Sequence, residues 1–175
     1  MKKLPSILLL LLATLATPLL AGDNISALKI TATIPVHTAV RPGGSFRVAL
    51  LVENPTKQPI QFRTESCGWC GNWRTKGTAG FLGWDCTKNI RELIEIQPGG
   101  SFIDEITVSI EEEASAGKTT TQFGFASMPA GEVGWSNKIE IPIDSKAPVP
   151  AKNANLGGEG TRTLGPGCRY LPWRE

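Results

Sequence analysis

The stretch that decides the fold runs Pro42-Gly-Gly-Ser-Phe-Arg-Val-Ala-Leu-Leu-Val-Glu-Asn-Pro55. A Pro-Gly-Gly turn opens it and Asn54-Pro55 closes it. Between them Phe46, Val48, Leu50 and Val52 alternate with Arg47, Ala49 and Glu53. A period of two marks extended chain with one face in a core, because successive side chains of a strand point to opposite sides. The pentapeptide Pro-Gly-Gly-Ser-Phe recurs at Pro98–Phe102. A sharp turn followed by a strand that opens on a core phenylalanine accounts for both copies. A phosphate cradle would need a helix N-terminus after the glycines, and β-periodic residues follow instead. The flanks of the two copies do not match, so they are no sign of a duplication.

The same alternation extends outward on both sides. Leu28, Ile30, Ala32, Ile34 and Val36 form one set, and Ile60 with Phe62, and Ile94 with Ile96, form two more. Phe102, Ile106 and Val108 follow, then Thr121, Phe123 and Phe125, then Ile139, Ile141 and Ile143. Gln97-Pro-Gly-Gly100, Ala116-Gly117 and Pro129-Ala-Gly131 supply further turns. Beyond the N-terminal leader no long helical stripe appears. Short strands with turns at this spacing predict an all-β fold, an immunoglobulin-like antiparallel β-sandwich of about seven to eight strands. Pro142 cannot donate to a ladder and places the Ile139–Ile143 strand at an edge or near its finish.

Residues 1–21 read as a signal peptide. Lys2 and Lys3 precede an apolar run from Ile7 to Ala16, and cleavage fits after Ala21. No second hydrophobic run follows, so no stable membrane span is expected after cleavage, and the product is expected to be periplasmic or secreted. Without Lys2 and Lys3, sixteen of the eighteen basic residues remain, equal to the sixteen acidic ones. That balance, with no cluster of basic residues interleaved with aromatics, argues against nucleic acid as a partner. The sandwich is expected to occupy residues 22–144. Residues 145–175 read as a Pro/Gly-rich C-terminal tail, basic overall where the body is acidic, whose end gathers Cys168, Tyr170, Leu171 and Trp173. The tail is expected to fold back and be stapled through Cys168, and truncation at Asp144 is expected to leave the sandwich folded.

Three of the four cysteines and three of the five tryptophans crowd between Ser66 and Asn89. Exported thiols usually become disulfides, so the segment reads as a long disulfide-tied loop. Four cysteines permit three pairings. The favoured one joins Cys67 to Cys86 across the loop and Cys70 to Cys168 at the tail, although sequence alone does not decide connectivity. Cys67-Gly-Trp-Cys70 has redox spacing, but neither a helical pattern nor a βαβ context surrounds it. Four-cysteine zinc is disfavoured because Cys86 and Cys168 do not form a second CxxC. Trp69, Trp73 and Trp84 either cap the core over the loop or, if any surface recognises a partner, form it.

Catalytic constellations are missing from the sequence. His37 sits in a strand-like run, no Gly-x-Ser-x-Gly or His-Glu-x-x-His occurs, and Asp104 and Glu105 point to opposite strand faces. Glu111-Glu112-Glu113 reads as a solvated turn.

One resemblance rests on a set of short elements. These are Phe46-x-Val48-x-Leu50-x-Val52-Glu-Asn54-Pro, Pro59-Ile-Gln-Phe62, Ser66-Cys67-x-Trp69-x-x-Asn72-Trp73, Gly83-Trp84-Asp85-Cys86-x-Lys88-Asn89, Gln97-Pro-Gly-Gly100-x-Phe102, Phe123-Gly-Phe125 and Trp135-Ser-Asn-Lys-Ile139. Through them, residues 28–143 resemble a group of uncharacterised exported bacterial immunoglobulin-like domain proteins. The Asn-Pro turn and the second Pro-Gly-Gly also resemble the β-sandwich of BsuPI-type proteinase inhibitors. The first resemblance implies the sandwich and a Cys67–Cys86 bridge, with Cys70 and Cys168 as extra cysteines here, and it implies no activity. The reading is therefore an exported, non-enzymatic module with a binding or structural accessory role. It needs no cofactor or metal, and its partner is an unidentified protein or cell-envelope component. The alternatives are a thiol-disulfide redox partner using Cys67 and Cys70, and a proteinase-inhibitor-like protein.

Overall fold

The computed structural model describes residues 24–35, 39–66, 69–81, 90–129, 131–148 and 162–171. Residues 1–21, read above as a signal peptide, and His37, Cys67, Trp84 and Cys86 lie outside them. The strands in chain order are β1 (Lys29–Thr33), β2 (Ser45–Glu53), β3 (Ile60–Glu65), β4 (Trp73–Gly77), β5 (Ala79–Phe81), β6 (Arg91–Ile96), β7 (Ser101–Ile110), β8 (Gly117–Ala126), β9 (Val133–Trp135), β10 (Ile139–Ile143), β11 (Arg162–Leu164) and β12 (Cys168–Leu171). Two 3₁₀ turns, Ile25–Ala27 and Cys70–Asn72, accompany them, and the described residues contain no α-helix.

The fold is all-β. One layer is a five-stranded sheet in the order β1-β2-β7-β11, with β5 also paired to β7. The facing layer is split into β10-β8-β4, with β9 on β8, and β12-β6-β3. Every strand pairing is antiparallel.

Both Pro-Gly-Gly copies are turns. Gly44 N–H donates to Arg41 O and Gly100 N–H to Gln97 O, each at 2.8 Å. Gly43 and Gly99 have φ of 70° and 72°, the left-handed position that a turn with proline before it reserves for glycine. Each turn feeds a strand of the central β2–β7 pair, in which Phe46 faces Val108 and Phe102 faces Val52. The copies therefore sit at opposite ends of that pair. Pro142 lies on β10, the edge strand beside β8, as its missing N–H requires. Glu111–Glu113 form an exposed turn.

One buried cluster fills the space between the layers. Val48, Leu50, Val52, Phe102 and Val108 come from one side, and Phe62, Ile94, Ile96, Phe123, Phe125 and Ile141 from the other, all fully buried. Phe62 meets Phe125 edge-on at 4.8 Å between ring centres. Each such side chain removed from water contributes about 1.5–3 kcal/mol.

Side-chain amides and hydroxyls close the seams between sheets. Buried Asn72 donates through Nδ2 to Arg63 O and Ala126 O, at 2.8 and 2.7 Å. Ser127 Oγ accepts from Arg63 N–H at 3.0 Å, so β3 is tied to the end of β8. Asn137 accepts from Ala32 N–H at 2.8 Å and donates to Ala32 O at 3.2 Å, acting as a strand partner for the outer edge of β1. Asn54 Nδ2 donates to Gln58 O and Ile96 O, both at 2.8 Å, and pins the corner between β6 and β7.

Two expectations from the sequence change. The stretch 66–89, read as one long loop, contains β4 and β5. The stretch 145–175, read as a tail held through Cys168, contributes β11 to the sheet of β7 and β12 to the sheet of β6. Its Gly165-Pro-Gly167 bend follows the β6–β7 corner, with Gln97 N–H donating to Gly167 O at 2.8 Å and Gly165 N–H to Ser101 O at 2.9 Å. Ladder hydrogen bonds therefore hold this segment, and the premise that no core-like strand lies beyond Asp144 does not stand.

Candidate functional site

The best-placed surface is the sandwich end where β3 runs out and β6 begins. Ser66 N–H donates to Ile90 O at 2.8 Å, and Ile90 N–H to Ser66 Oγ at 3.0 Å, drawing the neck of the 66–89 segment together. Trp69 follows in a left-handed conformation, φ 53°, which turns its ring inward.

Trp69 and Trp73 are 1 % and 2 % exposed. They do not form a partner-binding surface as the sequence allowed, and the capping alternative is the observed one. Trp69 packs edge-on against Phe62 and Phe102, each at 5.1 Å, and Trp73 against Phe125 at 4.7 Å. Their large rings are worth more inside, and both fall where the layers would otherwise open.

A polar group is buried with them. Asp104, 1 % exposed, accepts from Trp73 Nε1–H at 2.7 Å and lies 3.7 Å from Arg162 Nε. The Arg162 guanidinium stacks 3.6 Å over the Trp69 ring, a cation–π contact. Burial pushes the Asp104 pKa up to about 6, against the charge of Arg162 and the Trp73 hydrogen bond, which pull it down. Glu105 points outward to Arg47 at 3.8 Å, so the two carboxylates do lie on opposite faces.

On the outer face of the β12-β6-β3 sheet, Glu95 accepts from Gln61 at 2.7 Å and from Arg169 Nε and Nη2 at 2.9 and 2.7 Å. Burial alone would raise its pKa. The hydrogen bonds from Gln61, Arg169 and Gln97, with the Arg169 charge, outweigh that and hold it below the ordinary carboxylate value.

A cleft of about 330 Å³ opens at the same end, lined by Arg63, Thr64, Glu65, Arg91, Met128 and Pro129. The register Glu65↔Arg91 and Arg63↔Leu93 puts both guanidinium stems and Glu65 on one face. Ile90, 68 % exposed, stands beside it. Two cations, a thioether and an apolar side chain suit recognition. Among the described residues no group of three His, Cys, Asp or Glu side chains is placed to hold a metal, and no helix is long and apolar enough to cross a membrane.

Of the cysteines, Cys67 and Cys86 lie outside the described residues, as does Trp84. Cys70 opens a three-residue 3₁₀ turn. Cys168 carries a free, half-buried thiol whose pKa burial raises to about 11. The structure therefore does not show the Cys70–Cys168 bridge that the sequence led one to expect.

Sequence reasoning weighed Asp104 only as a neighbour of Glu105, without its buried setting, and passed over Arg162 and the Arg63–Arg91 cleft. The alternation contained a signal for the first. Position 104 falls in the inward register of β7 between Phe102 and Ile106, where a charge demands a buried partner.

No family model matches the chain, and no curated protein matches it. Among solved structures it is similar to a mutant β-glucosidase from Listeria innocua in complex with laminaribiose, with 11% identity over 67% of this chain and a TM-score of 0.33. The match covers 16% of the glucosidase chain. It is also similar to BslA, a bacterial hydrophobin, with 16% identity, 69% of this chain and 98% of that one covered, and a TM-score of 0.29. At these scores neither likeness carries an argument about activity.

Proposed function

We propose that this chain is an exported immunoglobulin-like module with no catalytic chemistry of its own, which docks a protein or cell-envelope partner through the sandwich end carrying residues 66–89. The observation that supports this reading is the convergence at that end of the Arg63–Arg91 cleft and exposed Ile90. Both rest on a base made rigid by buried Trp69 and Trp73. A recognition surface works best on loops and rims held by such a scaffold.

The test is a photo-crosslinking residue placed at Ile90 in the exporting host, with the same residue at Glu112 as a control on a distant exposed turn. The reading expects a discrete adduct from Ile90, absent from Glu112 and lost on Arg91→Glu. Equal adducts from both positions, or none from Ile90, would overturn it. A non-reducing peptide map of the same material tests the disulfide arrangement. A Cys67–Cys86 bridge fits a structural tie, and a readily reduced Cys67–Cys70 bridge would favour redox work instead.

A further inference from the structure

Inside the Arg63–Arg91 cleft, the outer edge of β3 runs out of hydrogen-bond partners. β3 is the last strand of the β12-β6-β3 sheet. Its ladder bonds to β6 fall on alternate residues, and the bond from Ser66 N–H to Ile90 O fixes the phase. Thr64 therefore turns its N–H and C=O toward β6, while Arg63 and Glu65 turn theirs away. At Arg63 the outward groups are used. Its N–H donates to Ser127 Oγ at 3.0 Å, and its oxygen accepts from Met128 N–H at 3.1 Å and from Asn72 Nδ2 at 2.8 Å. Pro129, next after Met128, has no N–H to give. Two residues further along β3, Glu65 O meets only the Thr64 hydroxyl among the described residues, at 3.5 Å, where a hydrogen bond is weak. Glu65 N–H has no partner among the described residues. Arg91 faces Glu65 across the ladder and is exposed, yet it forms no ion pair among the described residues. Two arginines against one glutamate leave the cleft positive, with half-buried Met128 as an apolar wall.

We propose that this cleft receives an extended acidic peptide segment of a partner protein, added to the outer edge of β3 at Glu65. The proposal rests on docking at this end of the sandwich and names the chemistry of what docks. A carbonyl of the peptide accepts from Glu65 N–H, and one of its N–H groups donates to Glu65 O. The addition continues the pairing that stops at Pro129. Main-chain bonds of this kind supply affinity, and side chains beside the edge supply choice. A peptide aspartate or glutamate meets Arg91 in a charge-assisted hydrogen bond, roughly twice as strong as a neutral one. A lipid phosphodiester would answer the arginine but brings acceptors alone, so Glu65 O would stay without a donor. A peptide brings donor and acceptor together, which is what the edge lacks.

The test is a titration of the full chain, labelled with nitrogen-15, by a capped peptide of alternating valine and glutamate, followed by amide chemical shifts. The proposal expects a saturable shift centred on the Glu65 amide. It expects binding at least about tenfold weaker for the same peptide methylated on every backbone nitrogen, and for the version with lysine in place of glutamate. Arg91→Glu should reverse the preference between the glutamate and lysine peptides, and the same spectra report whether that variant is folded. No saturable shift at Glu65 would overturn the proposal. Equal binding of the methylated peptide would overturn it too, because the cleft would then read charge alone. The Ile90 crosslink separates this outcome from the broader reading. An Ile90 adduct without peptide binding overturns the acidic strand and leaves docking at this end standing, whereas loss of the adduct overturns docking and the peptide proposal with it.

Discussion

Asp104 is the one polar residue in the inward register of β7, and its surroundings make it the most informative single site. Its pKa, raised by burial from 3.8 to about 6, means that the folded chain keeps a proton where the unfolded chain has released it. Stability is therefore expected to fall as the pH rises from about 4 to about 6, by on the order of 2–3 kcal/mol, and to level off above. Asp104→Asn keeps an acceptor for Trp73 and should flatten that slope in denaturant titrations run across the window. Glu95 acts in the opposite sense at lower pH. Its pKa lies below 4.5, so its stabilising effect is present above that value and is lost as acid protonates the folded form. Trp73→Phe removes the indole donor and leaves Asp104 short of a hydrogen bond in the core. The expected cost is about 1–3 kcal/mol by chemical denaturation. A variant as stable as the parent would mean that Arg162 alone suffices for the buried carboxylate.

At the scale of the element, the long strands were legible and the short ones were not. β2, β7, β8 and β10 each display enough alternation to be seen, and both Pro-Gly-Gly turns name their strands. Ala79–Phe81, Val133–Trp135 and Arg162–Leu164 span three residues each, too few for a period of two to show. β4 reads Trp-Arg-Thr-Lys-Gly, with only its first residue buried. The Gly and Pro content of the C-terminal segment suggested a linker, because the same residues that make a linker also make the bend around the β6–β7 corner. Trp69 and Trp73 were ambiguous because the sequence displays neither the left-handed φ at Trp69 nor that Trp73 opens a strand with its first residue inward. The Cys-Trp cluster thus announced a special segment without announcing which face it would show. Gly124 illustrates how tightly a short strand can sit. A Cβ there would lie 2.6 Å from a Val133 methyl and 2.8 Å from the Trp135 ring. Gly124→Ala should push β9 off β8 and cost about 1–3 kcal/mol, measurable as a lowered thermal midpoint.

For the whole molecule, three seams hold the sheets as one sandwich. Asn137 joins β1 to the residues after β9, Asn72 and Ser127 join β3 to β8, and the C-terminal strands line the corner where β6 passes into β7. Deleting residues 162–175 opens the third seam, bares two sheet edges and leaves Asp104 without Arg162. The expected loss is about 3–5 kcal/mol, seen as a shifted unfolding transition, and an unshifted transition would mean that the seam is dispensable. The candidate binding end lies away from the Gly165-Pro-Gly167 bend, beyond the opposite ends of β3 and β6, so the proposed docking surface and the closing of the sandwich involve different parts of the surface. The most direct measurement of the closed sandwich is amide hydrogen exchange on the full chain, read residue by residue at Gln97, Ser101, Gly165 and Cys168. All four N–H groups donate across or within the corner and are expected to exchange far more slowly than in an unstructured peptide. Exchange of these amides at unstructured rates, with β2 and β7 still protected, would contradict the account.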